Sequence, residues 1–467
     1  MKTHVRHAAT WLIALSATIA LAADPTTAAP VTAPGAPAPA SQLPWPARLT
    51  VDSGLKPETL ALKGASWSCM GTIESVKPPI TSLHLGSWDS PSAVKSQTED
   101  WAIFRARSGK QIESITPQYE RPGSFIYVPS YEDEPATPSP NRSTFMFRFI
   151  SARPPTAQTP GDAPKAVIER TWFAYYDPLP PKAAPGELAA TEPQAPRALI
   201  VFLPGTFGTP TDQIVALIRR LRLEGYAVLR MMAQPSRFTE SVTYSLPLEG
   251  DITASVPAIA ADLSDRAAEA AYAVEAGVLY AQQERPELRA LPRLAIGMSG
   301  GAMLLPVVVA REPSAYAGAV SIAGGVDYLR ILSTSNYANW IDAVRVKWTG
   351  APASKPPADG APPAPVVAPA KRLDELCTLY RAAAPLDSAN LVGLVKTVPW
   401  LLLHGSSDKA VPAVTGDEMW ELLGKPDRIT VKGGHELIFL TLGGKFNAIV
   451  EWVNKHARPA PAPKDAR

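Results

Sequence analysis

Ser299 lies between glycines in "LAIGMSGGAML", where one short apolar run passes into another without a charged residue. If the first run is a strand and the second a helix, so tight a turn forces Ser299 into strained backbone and lifts its hydroxyl above the sheet edge. Gly297, Gly300 and Gly301 leave room for that turn. The free N–H groups of the following helix then face whatever binds there. A serine hydroxyl is a weak nucleophile near neutral pH and needs a base.

The chain has six histidines. His4 and His7 sit in an N-terminal leader, and His84 lies in an early segment. His404 is inside the apolar run "LLLHG", where packing explains it. His456 ends the last helical pattern, where a cation suits the helix dipole. His435, in "VKGGHEL", follows a strand on a loop and is the candidate base. Its imidazole needs a carboxylate to fix its tautomer. Asp408 of "LLLHGSSD" is favoured for this, with Asp327 after "AVSIAGGVD" as the alternative acid. An oxyanion needs aimed donors. Gly300 N–H supplies one; the loop "PGTFGT" offers Thr206, or alternatively Phe207, unless it is only a helix-entry turn. No paired ligand spacing points to a metal, and no dinucleotide fingerprint is present, so no cofactor is expected.

Elements of alternating type must position these groups. "RALIVFLPG" is a continuous apolar run, as expected of a strand covered on both faces. In "TDQIVALIRRLRLEG" Ile214, Leu217, Ile218 and Leu221 keep helical spacing, and Gly225 closes the segment. "YAVLRMM", a long helix over "DLSDRAAEAAYAVEAGVLYAQQERPEL", "PRLAIGMS", "GGAMLLPVVVAREP" and "AGAVSIAGG" continue the alternation. It pauses from Val326 to Thr397, then resumes with "VPWLLLHGSSD", "GDEMWELLGK", "DRITVKGGH" and a final helix. The expected fold class is α/β, a mostly parallel sheet with helices on both faces. "STFMFRFIS" and "AVIERTWFAYYDP" read as strands before it, and residues 48–140, with runs such as "SFIYVPS", as a β-rich extension.

The 467 residues are 46% apolar, enough for a sizeable core. A net charge of +2 from 45 basic and 43 acidic residues gives no stripe for nucleic acid. Many of the fifty prolines fall in Pro/Ala tracts that favour extended, solvated backbone. These tracts predict a linker at 23–47, surface loops and a tail at 458–467. The start, with Lys2, Arg6, an apolar run from Trp11 to Leu21 and Ala20-Leu21-Ala22, has the layout of a secretory signal peptide over 1–22. Cleavage after Ala22 would make the protein exported, periplasmic or extracellular, with no transmembrane segment in the mature chain. Cys69 and Cys377 could pair in such a compartment or remain two buried thiols.

The order Ser299, Asp408, His435, the turn "GMSGG", the sheet tail "LLLHGSSDKAVP" and the loop "GGHE" together resemble the α/β-hydrolase superfamily. The resemblance runs from about Ala198 to Ala457, within a hydrolase domain expected over 141–457. It departs from that pattern at Pro204-Gly205, where many members carry His-Gly, and at Pro306 inside the helix after the serine. The resemblance implies hydrolysis through an acyl-enzyme and a lid-like insertion over 326–397, with Tyr328, Tyr337, Trp340 and Trp348 as its aromatics. The expected substrate is a small-molecule or lipid-like carboxylic ester. A peptidase of the same fold, or a non-catalytic envelope-binding protein on a hydrolase scaffold, are the alternatives.

Overall fold

The computed structural model describes residues 47–51, 60–63, 68–76, 115–117, 144–153, 166–181, 193–205, 211–231, 242–338, 344–350 and 369–457. The leader, the tether to residue 46, the run "SFIYVPS", Thr206, Phe207, Trp340, the tract at 351–368 and the tail at 458–467 lie outside them. Contacts divide the chain into residues 1–36 and residues 37–467, and every element below belongs to the second unit.

In chain order the strands are β1 (Ala47–Val51), β2 (Leu60–Lys63), β3 (Ser68–Val76), β4 (Ile115–Pro117), β5 (Phe145–Arg153), β6 (Ala166–Tyr176) and β7 (Leu199–Leu203). Then α1 (Thr211–Leu223), β8 (Ala227–Met231), β9 (Val242–Pro247), α2 (Val256–Glu284), β10 (Arg293–Met298), α3 (Gly300–Arg311) and β11 (Tyr316–Ile322) follow. The chain continues through α4 (Tyr328–Thr334), β12 (Val344–Thr349), α5 (Ala370–Ala383) and α6 (Ser388–Val395). It closes with β13 (Trp400–Gly405), α7 (Ala413–Leu422), β14 (Asp427–Val431), α8 (His435–Leu440) and α9 (Phe446–His456).

The main sheet runs β1-β2-β3-β5-β6-β8-β7-β10-β11-β13-β14, with β4 beside β6. From β8 to β14 every neighbouring pair in that order is parallel. β6 joins β8 antiparallel, as β5 joins β6. The step from β8 back to β7 and on to β10 is a topological switch point, where the strand order reverses and the strand ends open a crevice.

β7 explains why its sequence lacks alternation. Leu199, Val201 and Leu203 share one buried cluster with Ile259 and Ala267 of α2 and Leu304 and Leu305 of α3. Ile200 and Phe202 belong to the other, with Leu217 and Leu221 of α1 and Ile449 and Val453 of α9. Each such side chain contributes about 1.5–3 kcal/mol by leaving water. α1 ends as expected, with Gly225 at φ +88°. No described helix is long and apolar enough to cross a membrane.

The pause between Val326 and Thr397 is structured rather than empty. It holds α4, β12, α5 and α6, and β12 pairs in parallel with β9 in a separate two-stranded sheet. Val344 and Trp348 are buried while Arg345, Lys347 and Thr349 are exposed. That period of two is legible in "VRVKW", but its partner "VTYSLP" lies about a hundred residues earlier. Cys377 is a free, buried thiol on α5.

Candidate active site

Ser299 occupies the strand-to-helix turn at the carboxyl end of β10. Its backbone sits at φ 49°, ψ −117°, a conformation that a side chain bearing Cβ adopts only under constraint. Two hydrogen bonds and two glycines supply that constraint. Ser299 N–H donates to the Ile322 carbonyl at 2.8 Å, so β10 is still paired at its last residue. Its own carbonyl accepts from Met303 N–H at 3.0 Å, so α3 has already begun. A Cβ on Gly297 would meet the Gly301 carbonyl oxygen at 2.6 Å, and one on Gly301 would meet that of Pro204 at 2.4 Å. The helix thus rests directly on the backbone that follows β7. Gly300 opens α3, and its N–H belongs to the first turn, which has no intrahelical acceptor.

His435 is the first residue of α8, not a loop residue as its glycines suggest. Ser406 N–H bonds to the Val431 carbonyl at 3.0 Å and Ser407 N–H to that of Gly433 at 3.1 Å. These bonds bind the loop after β13 to the loop after β14 and bring Asp408 beside the imidazole. Asp408 Oδ2 lies 2.7 Å from His435 Nδ1, and His435 Nε2 lies 2.9 Å from Ser299 Oγ. Asp408 and His435 are both buried, at 5% and 4% exposure, while Ser299 is half-buried and open to the crevice. With Nδ1–H donating to the carboxylate, Nε2 is left to accept the serine proton.

Asp327, the rival acid, serves another purpose. It adopts the left-handed region at φ 67° and caps α4, its side chain accepting Arg330 N–H at 3.0 Å. It stands beside Asp387, whose carboxylate accepts from Asp327 N–H, Tyr328 N–H, Ala389 N–H and the Tyr380 hydroxyl. Burial and the charge of Asp387 push the Asp327 carboxyl up to about 7. His404 is a packed residue of β13, with Asp417 at 3.5 Å.

A cleft opens over Ser299 and Gly300. Leu263 and Ala267 of α2, Met303 of α3, Tyr328, Ile331 and Leu332 of α4, and Ala410 and Val411 after the acid loop line it. Its wall is mainly apolar. Arg266 is the charged side chain there, buried and held by Asp262 one turn earlier, with N–O distances of 3.3 and 3.1 Å. Among the described residues no carboxylate lines the cleft. The insertion therefore contributes through α4, as an apolar wall.

Two aromatic side chains flank the histidine ring: Phe439, which sequence reasoning passed over, and Tyr337, one of the aromatics expected of the insertion. Phe439 meets it edge-on with centroids 5.1 Å apart, and Tyr337 does so from the insertion at 5.9 Å. Phe439 was legible in principle, because residues four apart on a helix face one another. Reading His435 as a loop residue hides that spacing.

No protein-family model and no curated protein matches the chain. Solved structures do. The Pyrococcus horikoshii acylaminoacyl peptidase is 14% identical over 64% of this chain, with a TM-score of 0.37. The chain spans only 41% of that peptidase. The Pyrococcus furiosus esterase Pf2001 is 15% identical over 62% of this chain and 88% of its own, with a TM-score of 0.36. Est1E from Butyrivibrio proteoclasticus is 16% identical over 62% and 94% respectively, with a TM-score of 0.35. By its own strand order and the turn after β10, the chain has the fold of the α/β-hydrolases.

Proposed function

We propose that the chain is an exported serine hydrolase that cleaves carboxylic esters through an acyl-enzyme. The observation that carries this reading is the unbroken run from Asp408 through His435 to Ser299, at 2.7 and 2.9 Å, ending in an apolar cleft. A structural role would not need a strained serine, since strain of this kind costs about 1–3 kcal/mol and persists only where the surroundings impose it.

The steps follow from the geometry. Ser299 Oγ attacks the acyl carbon while its proton passes to His435 Nε2, and Asp408 stabilises the imidazolium. Negative charge on the former carbonyl oxygen meets the Gly300 N–H and a second donor from the loop after β7, Thr206 in this reading or Phe207 as the fallback. The imidazolium gives its proton to the departing alkoxide, which leaves as the alcohol. Water, deprotonated by His435, then attacks the acyl-enzyme and releases the acid. An apolar wall with no carboxylate among the described residues suits an acyl group, and none of those residues would hold a free peptide N-terminus. Esters are therefore favoured over peptides. Export rests on the layout of residues 1–22.

The test is to treat the mature protein with a fluorophosphonate probe beside Ser299→Ala and His435→Ala, and to map the adduct. Labelling at Ser299 that both variants lose is the expected result, followed by turnover of short and medium acyl esters. A folded wild type that takes no label would overturn the reading, and turnover of aminoacyl amides alone would move it to a peptidase.

A further inference from the structure

The insertion touches both supports of the relay. Asn336 N–H donates to the carbonyl of Lys409 at 2.9 Å, one residue after Asp408. The Tyr337 hydroxyl donates to Glu436 Oε1, one residue after His435. The Tyr337 ring stands edge-on to the imidazole, with planes 83° apart. Ser335, Tyr337 and Ala338 also line the cleft together with Ser299. One short segment thus covers the cleft and grips the loops that carry the acid and the base.

We infer that Tyr337 is a positioning residue, which fixes the plane of the His435 ring and ties it to the seating of the insertion over the cleft. The inference rests on the reading of Ser299 as nucleophile. The two nitrogens of His435 fix the axis between Asp408 and Ser299 but leave the ring able to rock about that axis. The rings of Tyr337 and Phe439, each steeply inclined to the imidazole with centroids 5.9 and 5.1 Å away, restrict that freedom. Tyr337 itself is held by a hydrogen bond to a carboxylate, a charge-assisted kind stronger than a neutral one. The titration of the pair agrees. Burial and the Glu436 bond push the phenol up, and the Tyr337 hydroxyl holds Glu436 below the usual carboxylate range although what burial it has works the other way. A substrate that displaced the insertion would release this bond, so a well-seated substrate and an aligned base go together.

The experiment compares Tyr337→Phe, Glu436→Ala, Glu436→Gln and the Phe/Ala double variant. The rate of fluorophosphonate labelling at Ser299 is read beside kcat and KM on one ester, with melting temperature as the folding control. Tyr337→Phe removes one hydroxyl, and Glu436 is exposed, so these variants keep the fold. Labelling and kcat should each fall roughly tenfold in Tyr337→Phe and Glu436→Ala with KM within about twofold, the pattern of a lost transition-state contribution. The double variant should be no slower than either single one, because both break the same bond. Glu436→Gln, whose amide oxygen still accepts, should lose less than Glu436→Ala. A raised KM with unchanged kcat and labelling would reduce Tyr337 to a wall, and multiplying losses in the double variant would uncouple it from Glu436. Either result overturns the inference while Ser299 remains the nucleophile; an unlabelled wild type overturns both readings.

Discussion

Asp408 holds the His435 ring and its own loop with opposite oxygens. Oδ2 lies 2.7 Å from His435 Nδ1, and Oδ1 accepts the N–H groups of Ala410 and Val411 at 2.8 and 2.9 Å. The two tasks separate by substitution. Asp408→Asn keeps an oxygen for the loop and turns an amide N–H towards Nδ1, which favours the wrong tautomer. Ester hydrolysis should fall by roughly 10³–10⁴ with the melting temperature nearly unchanged. Asp408→Ala should also lose activity, and in addition about 1–3 kcal/mol of stability, because two buried N–H groups lose their acceptor. Denaturant unfolding of both variants beside their kinetics checks the separation. Equal loss of stability in the two would show that Oδ1 carries nothing.

Gly301 is required for contact rather than for backbone freedom. A methyl group there would lie 2.4 Å from the Pro204 carbonyl oxygen and 2.6 Å from that of Leu203, and backbone does not step aside as a side chain does. Gly301→Ala should push α3 away from the end of β7. The expected cost is about 1–3 kcal/mol, typical of overpacking, with a disproportionate fall in kcat because Gly300 N–H moves with the helix. Urea unfolding and ester kinetics together test this. A variant that loses stability while keeping kcat would mean that the turn tolerates the shift.

The parts of the site that were legible in the sequence are those set by strand ends. Ser299 and Asp408 follow apolar strands and His435 follows the half-buried strand β14, and a parallel sheet brings such ends to one edge whatever the loops do. Gly297 and Gly301 were legible because a tight turn leaves no room for side chains. Tyr337 is different, for its approach to His435 depends on the path of the insertion between α4 and β12, which no local pattern encodes. The pairing of Asp327 with Asp387 joins residues 60 apart across that same insertion. Asp327 read alone is a carboxylate at a strand end, and its capping of α4 is visible only once the helix is placed.

The second oxyanion donor separates by removing one N–H at a time. If Thr206 supplies it from its backbone, Thr206→Ala should keep activity, since the side chain takes no part. Thr206→Pro should lose roughly 10²–10³ in kcat, the usual contribution of one such donor. Phe207→Pro should then cost less. The reverse order would assign the role to Phe207, and comparable small losses would move the donor elsewhere.

Asp327 and Asp387 make stability depend on pH in a direction opposite to that of a paired surface carboxylate. Both are fully buried, and burial raises both. Asp387 accepts four hydrogen bonds, so it is the one that keeps its charge. Asp327, with burial and that charge against it, is pushed up to about 7 despite the opposing pull of Arg330 and Arg381. An unfolded aspartate titrates near roughly 3.9. Between about pH 4 and pH 7 the folded chain therefore holds a proton that the unfolded chain has released, and stability falls as pH rises through that window. Above it the fall stops. Asp327→Asn stays neutral at every pH and keeps an oxygen for Arg330 N–H. It should match wild type near pH 4 and exceed it by about 1–3 kcal/mol at pH 8, where wild type bears the second buried charge. Denaturant unfolding of both proteins at half-unit steps from pH 4 to 8 checks the sign. If Asp327→Asn were instead the weaker protein at pH 8, the ion pair with Arg330 would outweigh the repulsion from Asp387, and Asp327 would be a charged anchor of α4.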